Sequence, residues 1–324
     1  MKYNLFIVSS PLQIMNAIEA VEHFKTQNNI LLLLSSENKN QLIQMNHLIK
    51  FMDWLRIEYV SALSYKGINR LFFTRVITRQ FKYIKNYEID KLFVGDYRSE
   101  HLNHMVNYFG NNDVYLLDDG LNQLGYSKYL QNQSYKFKIR RLIYGLFFYN
   151  LSKIKYTIFS IFTIENEKTI KNNYTFFKKY INTKVMEKEV YFIGQPLVEL
   201  NIIDEKCFKK ELIKIINFYS KNLFIYILHR KENEEKINKL SKELNFEYKK
   251  FNNIIELEMI NSDKIPSDIA TFYSTAIITL PSFIKDPIYR TFKIKSEYID
   301  KSFIPIIENI YKEFEHRKIE IKLL

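Results

Sequence analysis

The chain has 324 residues, a length typical of two domains of about 150 residues each. Its 47% hydrophobic and 16% aromatic residues exclude a disordered chain, and its 7 Gly and 6 Pro exclude collagen-like and linker-like classes. The single cysteine, Cys207, excludes a disulfide framework and any zinc site built from cysteines. We therefore expect a reducing compartment, the cytoplasm.

The net charge is +12, from 48 Lys and Arg against 36 Asp and Glu. Such an excess is typical of proteins that bind nucleic acid, an anionic membrane or an anionic small substrate, and a coding bias toward Lys, Asn and Ile is a further source. The lysines are scattered, with no RNP-like aromatic block and no Cys/His finger spacing. Nucleic acid is therefore not an expected partner.

The first part of the chain alternates short apolar runs with segments of helical period. The apolar runs predict strands at Tyr3–Val8, Ile30–Leu34, Arg56–Val60, Lys91–Val94 and Val114–Leu117. The segments between them predict helices at Pro11–Phe24, Asn38–Phe51, Ile68–Tyr87 and Ser99–Phe109. Continuous apolar strands separated by helices predict a parallel sheet that is covered on both faces. The apolar part of the opening residues is too short for a secretory signal.

A basic, aromatic stretch follows at residues 135–156, and its period predicts a helix. One interpretation is an interfacial helix on the cytoplasmic face of the inner membrane, and the other is a core or dimer-forming helix. The longest apolar run, Leu142–Leu151, is about half of the roughly 20 residues that a membrane-spanning helix needs. We expect a protein that is at most peripheral on the membrane.

The alternation of strands and helices restarts after an irregular segment that ends at Gly194-Gln195-Pro196. Strands are predicted at Glu189–Ile193, Asn222–Leu228, Ile254–Glu258 and Ala276–Leu280, and helices at Glu205–Tyr219, Glu232–Leu244 and Ile306–Phe314. A short helix is predicted to lead to Ser274. Two Rossmann-like domains are expected, at 1–155 and 156–324, facing one another across a cleft where the carboxyl ends of the strands bind ligands.

Several common catalytic motifs are absent. The sequence has no G-x-G-x-x-G, no Walker A sequence, no G-x-S-x-G elbow and no H-E-x-x-H. The turn after the first strand instead contains Ser9 and Ser10, whose hydroxyls and free amides lie at a helix start. They are candidates for ligand binding, and a plain helix N-cap is the alternative.

Two adjacent carboxylates, Asp118 and Asp119, follow a buried strand and precede Gly120. Like charges in a partly dry site raise one pKa toward the range of a general base. An ordinary Asp-Gly turn explains the same residues. We take Asp119 as the first choice for a base and Asp118 as the second.

A histidine, His229, ends a strand of the second half and is followed by Arg230 and Lys231. Such a group can donate a hydrogen bond or a proton to a phosphate, while the cations add positive charge. Ser274 and Thr275 are neighbouring hydroxyls that can bind phosphate oxygens. A solvated structural histidine and an ordinary Ser-Thr pair are the alternatives.

A secondary set follows the fourth strand: Asp96, His101 and His104. The two histidines are three residues apart and share one helical face. Since no acidic or cysteine partner completes a metal site, contact with an acceptor substrate and plain surface are the two interpretations. No metal is expected.

Together these residues resemble the bacterial sialyltransferases, whose acidic-acidic-Gly, His-Pro and Ser-Ser/Thr motifs occur in this order. Ser10-Pro11-Leu12-Gln13, the segment 191–197 and Ile255-Glu256-Leu257 add a likeness to glycosyltransferase family 52, the lipooligosaccharide sialyltransferases, which are related to the polysialyltransferases. Arg230 occupies the position of the motif proline. The resemblance spans nearly the whole chain.

The resemblance implies a GT-B fold, a CMP-sialic acid donor, inversion at the anomeric carbon, and no cofactor or metal. It implies transfer to a terminal sugar, such as galactose, of lipooligosaccharide or capsule. Asp119, Asp118 and His229 would be catalytic, and the donor would bind Ser9, Ser10, Gly120, Arg230, Glu256, Ser274 and Thr275. A homodimer is a further possibility. Two alternatives remain: a GT-B transferase with another nucleotide sugar, and a non-enzymatic basic protein that binds nucleic acid or membranes.

Overall fold

The chain forms two compact units, Met1–Phe176 and Phe177–Leu324. A computed structural model describes residues 1–35, 39–61, 73–109, 113–126, 156–164, 167–181 and 184–324. The predicted basic helix at 135–156 lies outside these residues except for Tyr156, and so do the first residues of the predicted helices at 38–51 and 68–87. The division falls later than the predicted boundary at 155/156, because two short strands beyond that point join the first sheet.

The first unit contains a parallel sheet of seven strands. They are β1 (Lys2–Val8), β2 (Asn29–Ser35), β3 (Arg56–Ser61), β4 (Glu88–Val94), β5 (Asp113–Leu117), β6 (Thr157–Ser160) and β7 (Thr169–Lys171). Their order is β3-β2-β1-β4-β5-β6-β7, and every pair is parallel. The inner strands β1 and β2 carry continuous runs of buried apolar residues, Leu5–Val8 and Ile30–Leu34, as expected where helices cover both faces of a parallel sheet.

The described helices of the first unit are α1 (Pro11–Phe24), α2 (Lys39–Leu48), α3 (Phe73–Phe81) and α4 (Glu100–Phe109). The boundaries of α1 follow from local chemistry. The Ser10 side chain accepts a hydrogen bond from the Gln13 N–H, Pro11 occupies the first turn, and Lys25 ends the helix with a φ of 51°. Ser10 is therefore a helix N-cap, as the simpler interpretation of this serine predicted.

Aromatic side chains form much of the core of the first unit. Phe6 of β1 stacks on Phe93 of β4 with ring centroids 4.3 Å apart. The only tryptophan, Trp54, packs edge-on against Phe6 at 5.3 Å, and its Nε1 donates to the Ile49 carbonyl at 3.2 Å. Trp54 thus packs against β1, an inner strand of the sheet.

The second unit contains a parallel sheet of six strands. They are β8 (Lys184–Ile193), β9 (Leu223–Leu228), β10 (Glu247–Lys250), β11 (Lys264–Thr271), β12 (Ile288–Phe292) and β13 (Glu320–Lys322), in the order β10-β9-β8-β11-β12-β13. Phe192 of β8 lies at its centre, with Phe272 5.2 Å and Tyr226 5.7 Å away between ring centroids.

The described helices of the second unit are α5 (Glu205–Phe218), α6 (Glu234–Leu244), α7 (Ile255–Asn261), α8 (Ala276–Thr279) and α9 (Ile304–His316). Asp204 begins α5, because its side chain accepts a hydrogen bond from the Cys207 N–H at 2.7 Å. Cys207, the only cysteine, is half-buried in the first turn.

Three local predictions were wrong. The apolar runs at 254–258 and 276–280 are helical, in α7 and α8, rather than strands. The segment at 265–273, predicted as a short helix, is largely strand β11. Short apolar runs do not distinguish a buried helix from a buried strand, and Pro266 obscured β11 because proline is rare inside strands. Its position coincides with a shift in the pairing register of β11 with β8.

Both sheets reverse their strand order once, and this is the feature that positions ligand sites. The reversal lies between β1 and β4 in the first unit and between β8 and β11 in the second. In open parallel sheets, ligands bind outside the carboxyl ends of the strands at such a switch point. The prediction of two Rossmann-like domains is confirmed.

Candidate functional site

Gln13 connects two strand ends at the switch point of the first unit. Its Oε1 accepts hydrogen bonds from the Ser9 N–H at 2.7 Å and the Ser9 Oγ at 3.1 Å, while its Nε2 donates to Asp119 Oδ1 at 2.8 Å. The side chain lies directly on Gly95, where an added Cβ would come within 2.7 Å of Gln13 Cγ. Glycine at position 95 therefore allows Gln13 to cross the edge of the sheet.

Asp119 lies directly after β5, and three side chains bind its carboxylate. Besides Gln13, Arg98 Nη2 donates to Oδ2 at 3.0 Å and Asn122 Nδ2 donates to Oδ2 at 3.1 Å. The Asp119 side chain is 13% exposed. Burial, and next the negative charge of Asp96, raise the pKa of Asp119 to about 6, although the three donors lower it. Such a carboxyl is ionised at neutral pH and has the basicity that a general base needs.

Asp118 has different surroundings from its neighbour. It is 1% exposed; its Oδ1 accepts from the Gly120 N–H at 2.8 Å, and its Oδ2 accepts from Ser160 Oγ at 2.8 Å and the Ile161 N–H at 2.9 Å. Its carbonyl accepts from Asn16 Nδ2 of α1 at 3.0 Å. The Asp118 carboxylate therefore fastens the turn after β5 to the end of β6.

The secondary set predicted after β4 divides into two parts. Asp96 is linked to Asp119 through Arg98, because Asp96 Oδ1 lies 3.2 Å from Arg98 Nε. His104, on α4, shares a hydrogen bond of 2.7 Å with Thr78 Oγ1 of α3. His101 is on the same helix, and burial lowers its pKa. The structure brings Asp96 to Asp119, and it places His104 in the packing of α4 against α3.

At the switch point of the second unit, Gly194 follows β8, and the side chains of Tyr226 and Glu232 pack directly against it. An added Cβ would lie 2.7 Å from Tyr226 OH and closer still to Glu232 Oε2. Tyr226 OH donates to Glu232 Oε1 at 2.6 Å. Burial raises the pKa of Glu232 to about 7, although the hydrogen bonds from Tyr226 and the His229 N–H lower it. Gly194 thus allows a buried carboxyl group to lie across the sheet edge.

His229 follows β9 and contacts the carboxyl group of Glu232. Its N–H donates to Glu232 Oε2 at 2.8 Å, and its Nδ1 accepts from the Lys231 N–H at 3.1 Å. Because Nδ1 accepts, the neutral ring carries its proton on Nε2. Burial, and next the charges of Arg230 and Lys231, lower the pKa of His229 to about 4. At neutral pH the ring therefore offers a hydrogen-bond donor, while Arg230 and Lys231 are exposed.

Ser274 and Thr275 follow β11, on the other side of the same switch point. Both are half-buried, and Ser274 Oγ accepts from the Ala276 N–H at 3.3 Å. Gln195, after β8, holds this loop, because its Oε1 accepts from the Tyr273 N–H at 2.8 Å. The hydroxyls predicted to bind phosphate thus lie at the carboxyl edge of the sheet.

Glu256 lies in the first turn of α7 and is 5% exposed. Thr279 Oγ1 of α8 donates to its Oε1 at 2.6 Å, and burial raises its pKa. Contact of Glu256 with a nucleotide stays a prediction.

No role was predicted for Gln13, Arg98 or Asn122 from the sequence. The available signal was the strand order: β1, β4 and β5 are neighbours, and the three residues follow these strands within six positions of a strand end. Among the described residues, no group of three or more His, Cys, Asp or Glu side chains is placed to hold a metal ion. In the same part of the chain, no helix is long and apolar enough to cross a membrane.

No protein-family model and no curated protein matches the sequence. Solved structures match nearly the whole chain at low identity. A UDP-N-acetylglucosamine 2-epimerase aligns with a TM-score of 0.52 and 10% identity over 95% of this chain and 81% of that chain. A putative UDP-N-acetylglucosamine 2-epimerase from Listeria monocytogenes aligns with a TM-score of 0.51 and 9% identity over 97% of this chain and 86% of that chain. A UDP-GlcNAc 2-epimerase from Methanocaldococcus jannaschii aligns with a TM-score of 0.50 and 11% identity over 97% of this chain and 92% of that chain.

The chain has a GT-B fold. At these identities the likeness establishes the fold alone.

The identification as a family 52 sialyltransferase, and with it an activity that depends on CMP-sialic acid, is wrong. The structural neighbours named above are UDP-N-acetylglucosamine 2-epimerases, and no family model, of sialyltransferases or of any other family, matches the sequence. The physical reason lies in the fold. Parallel strands collect polar residues at their carboxyl ends, so an acidic pair, a histidine and a Ser-Thr pair in this order report the GT-B architecture rather than the donor.

Proposed function

We propose that this protein is a glycosyltransferase that uses a nucleotide sugar and activates its acceptor hydroxyl with Asp119. The observation that carries the proposal is the Asp119 carboxylate at the end of β5, buried to 13% exposure, with a pKa raised to about 6. The second unit would bind the nucleotide at the carboxyl edge between β8 and β11.

In the proposed reaction, the acceptor oxygen forms a bond to the anomeric carbon of the donor sugar. The bond from that carbon to the nucleotide phosphate oxygen breaks, and the nucleotide leaves with the electron pair. The hydroxyl proton passes to Asp119, which Gln13, Arg98 and Asn122 hold in place. A single displacement of this kind inverts the anomeric configuration.

The leaving phosphate gains negative charge, and the second unit offers groups that stabilise it. We assign His229 the role of a neutral hydrogen-bond donor through Nε2, because its pKa of about 4 keeps it unprotonated at neutral pH. Arg230 and Lys231 add positive charge, and Ser274 and Thr275 add hydroxyl donors. A reaction without a metal or other cofactor is part of this proposal.

A second candidate is epimerisation of a UDP-sugar, which the names of the structural neighbours suggest. Epimerisation at a sugar carbon requires removal of a C–H proton. A sugar hydroxyl is far more acidic than such a C–H group, so a base with a pKa of about 6 is better matched to transfer.

Two measurements test the proposal. Thermal unfolding with UDP, ADP, GDP and CMP identifies the nucleotide, since a ligand that binds the folded state raises the unfolding temperature. Proton NMR then follows the matching nucleotide sugar in D₂O, with and without a panel of glycoside acceptors. Transfer predicts consumption that requires an acceptor, whereas epimerisation predicts deuterium incorporation into the sugar without one.

The test variant and its control lie at opposite ends of the same strand, β5. Asp119→Asn should abolish transfer, while Asp113→Asn, at the exposed start of β5, should leave it unchanged. Stabilisation by none of the nucleotides, or full activity of Asp119→Asn, would overturn the proposal. A glycan acceptor, contact with the inner membrane and a homodimer stay predictions, which acceptor panels, vesicle flotation and sedimentation would test.

A further inference from the structure

Three charged side chains form a continuous chain of contacts at the carboxyl edge of the first sheet. Arg98 Nε lies 3.2 Å from Asp96 Oδ1, and Arg98 Nη2 lies 3.0 Å from Asp119 Oδ2. The Arg98 N–H also donates to Asp96 Oδ1 at 2.8 Å. One guanidinium group is therefore shared between two carboxylates that come from different strand ends.

We propose that Arg98 and Asp96 are positioning residues for Asp119 that act in opposite directions. Arg98 orients the Asp119 carboxylate and favours its charged form. The Asp96 carboxylate binds both the backbone N–H and the guanidinium group of Arg98, and its negative charge disfavours the charged form of Asp119. This inference deepens the proposed function, because it takes Asp119 as the base.

The geometry explains why neither residue acts alone. Asp119 is 13% exposed, and a carboxylate at that depth is poorly solvated, so a neighbouring charge has a large effect on it. The Arg98 side chain is 40% exposed, and the carboxylates of Asp96 and Asp119 hold it from two sides. The backbone and side-chain contacts to Asp96 form a short closed loop that fixes the guanidinium beside Asp119.

The other groups around Asp119 are neutral or turned away. Gln13, from α1, and Asn122, from the 3-10 turn at 120–125, donate to it as uncharged amides. The Asp118 carboxylate accepts from Gly120, Ser160 and Ile161 instead. Within the described part of the chain, Asp96 and Arg98 are thus the two charged side chains that act on Asp119, in agreement with the causes of its raised pKa.

The test measures the titration of Asp119 directly. The protein is labelled with ¹³C at aspartate carboxyl carbons, and the Asp119 signal is assigned by its loss in Asp119→Asn. Arg98→Gln should raise the Asp119 midpoint by about 1 pH unit or more, because an opposite charge at this range typically shifts a carboxyl by 1–3. Asp96→Asn should lower the midpoint, since it removes a like charge and leaves Arg98 with Asp119 alone.

Arg98→Lys is the conservative control, because it keeps the positive charge; it should return the midpoint toward the wild-type value. The pH dependence of kcat/KM gives a second measurement: its acid limb should shift upward in Arg98→Gln and downward in Asp96→Asn. Unchanged midpoints, or shifts of both variants in one direction, would overturn the inference. A change in KM for an anionic substrate without any shift in midpoint would also overturn it, since Arg98 would then be a substrate ligand.

These results separate the inference from the proposed function. The NMR titration needs no turnover, so opposite shifts without any transfer activity would refute the proposed function and leave the inference standing. Trp54 fluorescence, which reports the first unit, verifies that each variant is folded before titration.

Discussion

Replacing each of the two adjacent aspartates by asparagine should change stability in opposite directions. Asp118 accepts hydrogen bonds from the Gly120 N–H on one oxygen and from Ser160 Oγ and the Ile161 N–H on the other. An asparagine offers one oxygen and one NH₂ group, so in either orientation an NH₂ group faces a donor. With its oxygen toward Ser160 and Ile161, the NH₂ group would face the Gly120 N–H and leave it unpaired.

These contacts set the expected loss in the free energy of unfolding for Asp118→Asn. An unsatisfied buried donor costs about 1–3 kcal/mol, and the remaining bonds weaken because they lose the charge of the acceptor. We expect Asp118→Asn to lower the free energy of unfolding of the first unit by about 2–3 kcal/mol. With a urea dependence of about 2 kcal/mol per M, the midpoint should fall by about 1–1.5 M.

Asp119→Asn should have the opposite effect at alkaline pH. Folding raises the pKa of Asp119 from 3.8 to about 6, so the folded state binds the proton more tightly than the unfolded state and its stability falls as pH rises through about 6. At pH 8 the ionised carboxylate costs up to about 3 kcal/mol, since each pH unit of difference corresponds to 1.36 kcal/mol. A neutral asparagine removes this cost, which already includes the favourable contact of the carboxylate with Arg98.

Urea unfolding followed by Trp54 fluorescence is the appropriate assay, because the only tryptophan lies in the first unit against Phe6. At pH 8 the midpoint of Asp118→Asn should fall below that of the wild type, and the midpoint of Asp119→Asn should exceed it. Below about pH 4 the gain of Asp119→Asn should vanish. An Asp118→Asn variant with a wild-type midpoint and no transfer activity would refute the reasoning, since Asp118 would then be the base.

The remaining predictions concern the two switch points. Gly194→Ala should destabilise the second unit by about 1–3 kcal/mol, because its Cβ overlaps Glu232; calorimetry that shows an unchanged unfolding temperature would contradict this. His229→Ala should weaken nucleotide binding by the same factor at pH 6 and pH 8, since the ring is neutral at both; calorimetric titration that finds a larger loss at pH 6 would indicate a charged ring. Gly95→Ala should displace Gln13 and lower kcat in the transfer assay without a matching change in nucleotide affinity, and wild-type turnover would show that Gln13 does not position the base.

Much of the fold was predictable because the strands of a covered parallel sheet are continuous apolar runs. The run at 30–34, for example, lies within β2, and its five residues are fully or almost fully buried. The two edge strands of the second sheet were not predicted. Glu320–Lys322 and Glu247–Lys250 carry charged side chains and pair on one side only, so they lack the apolar signal on which strand prediction depends.

The candidate site was predictable in part. Asp119 was singled out because two adjacent carboxylates follow a buried strand, where burial and like charge raise a pKa. Its partner Gln13 is 106 residues away in sequence, and local spacing carries no information about that contact. The ligand could not be inferred at all, since a fold leaves the identity of a ligand to side chains that short motifs do not determine.

The single tryptophan and the single cysteine lie in different units, Trp54 in the first and Cys207 in the second. The chain therefore needs no further mutation to carry one fluorescence donor and one attachment point for an acceptor dye. Because burial raises the pKa of the Cys207 thiol, the dye is best attached at alkaline pH, where more of the thiolate forms. Resonance energy transfer between the two positions would then report, in the native protein, whether binding of a nucleotide changes the distance between the units.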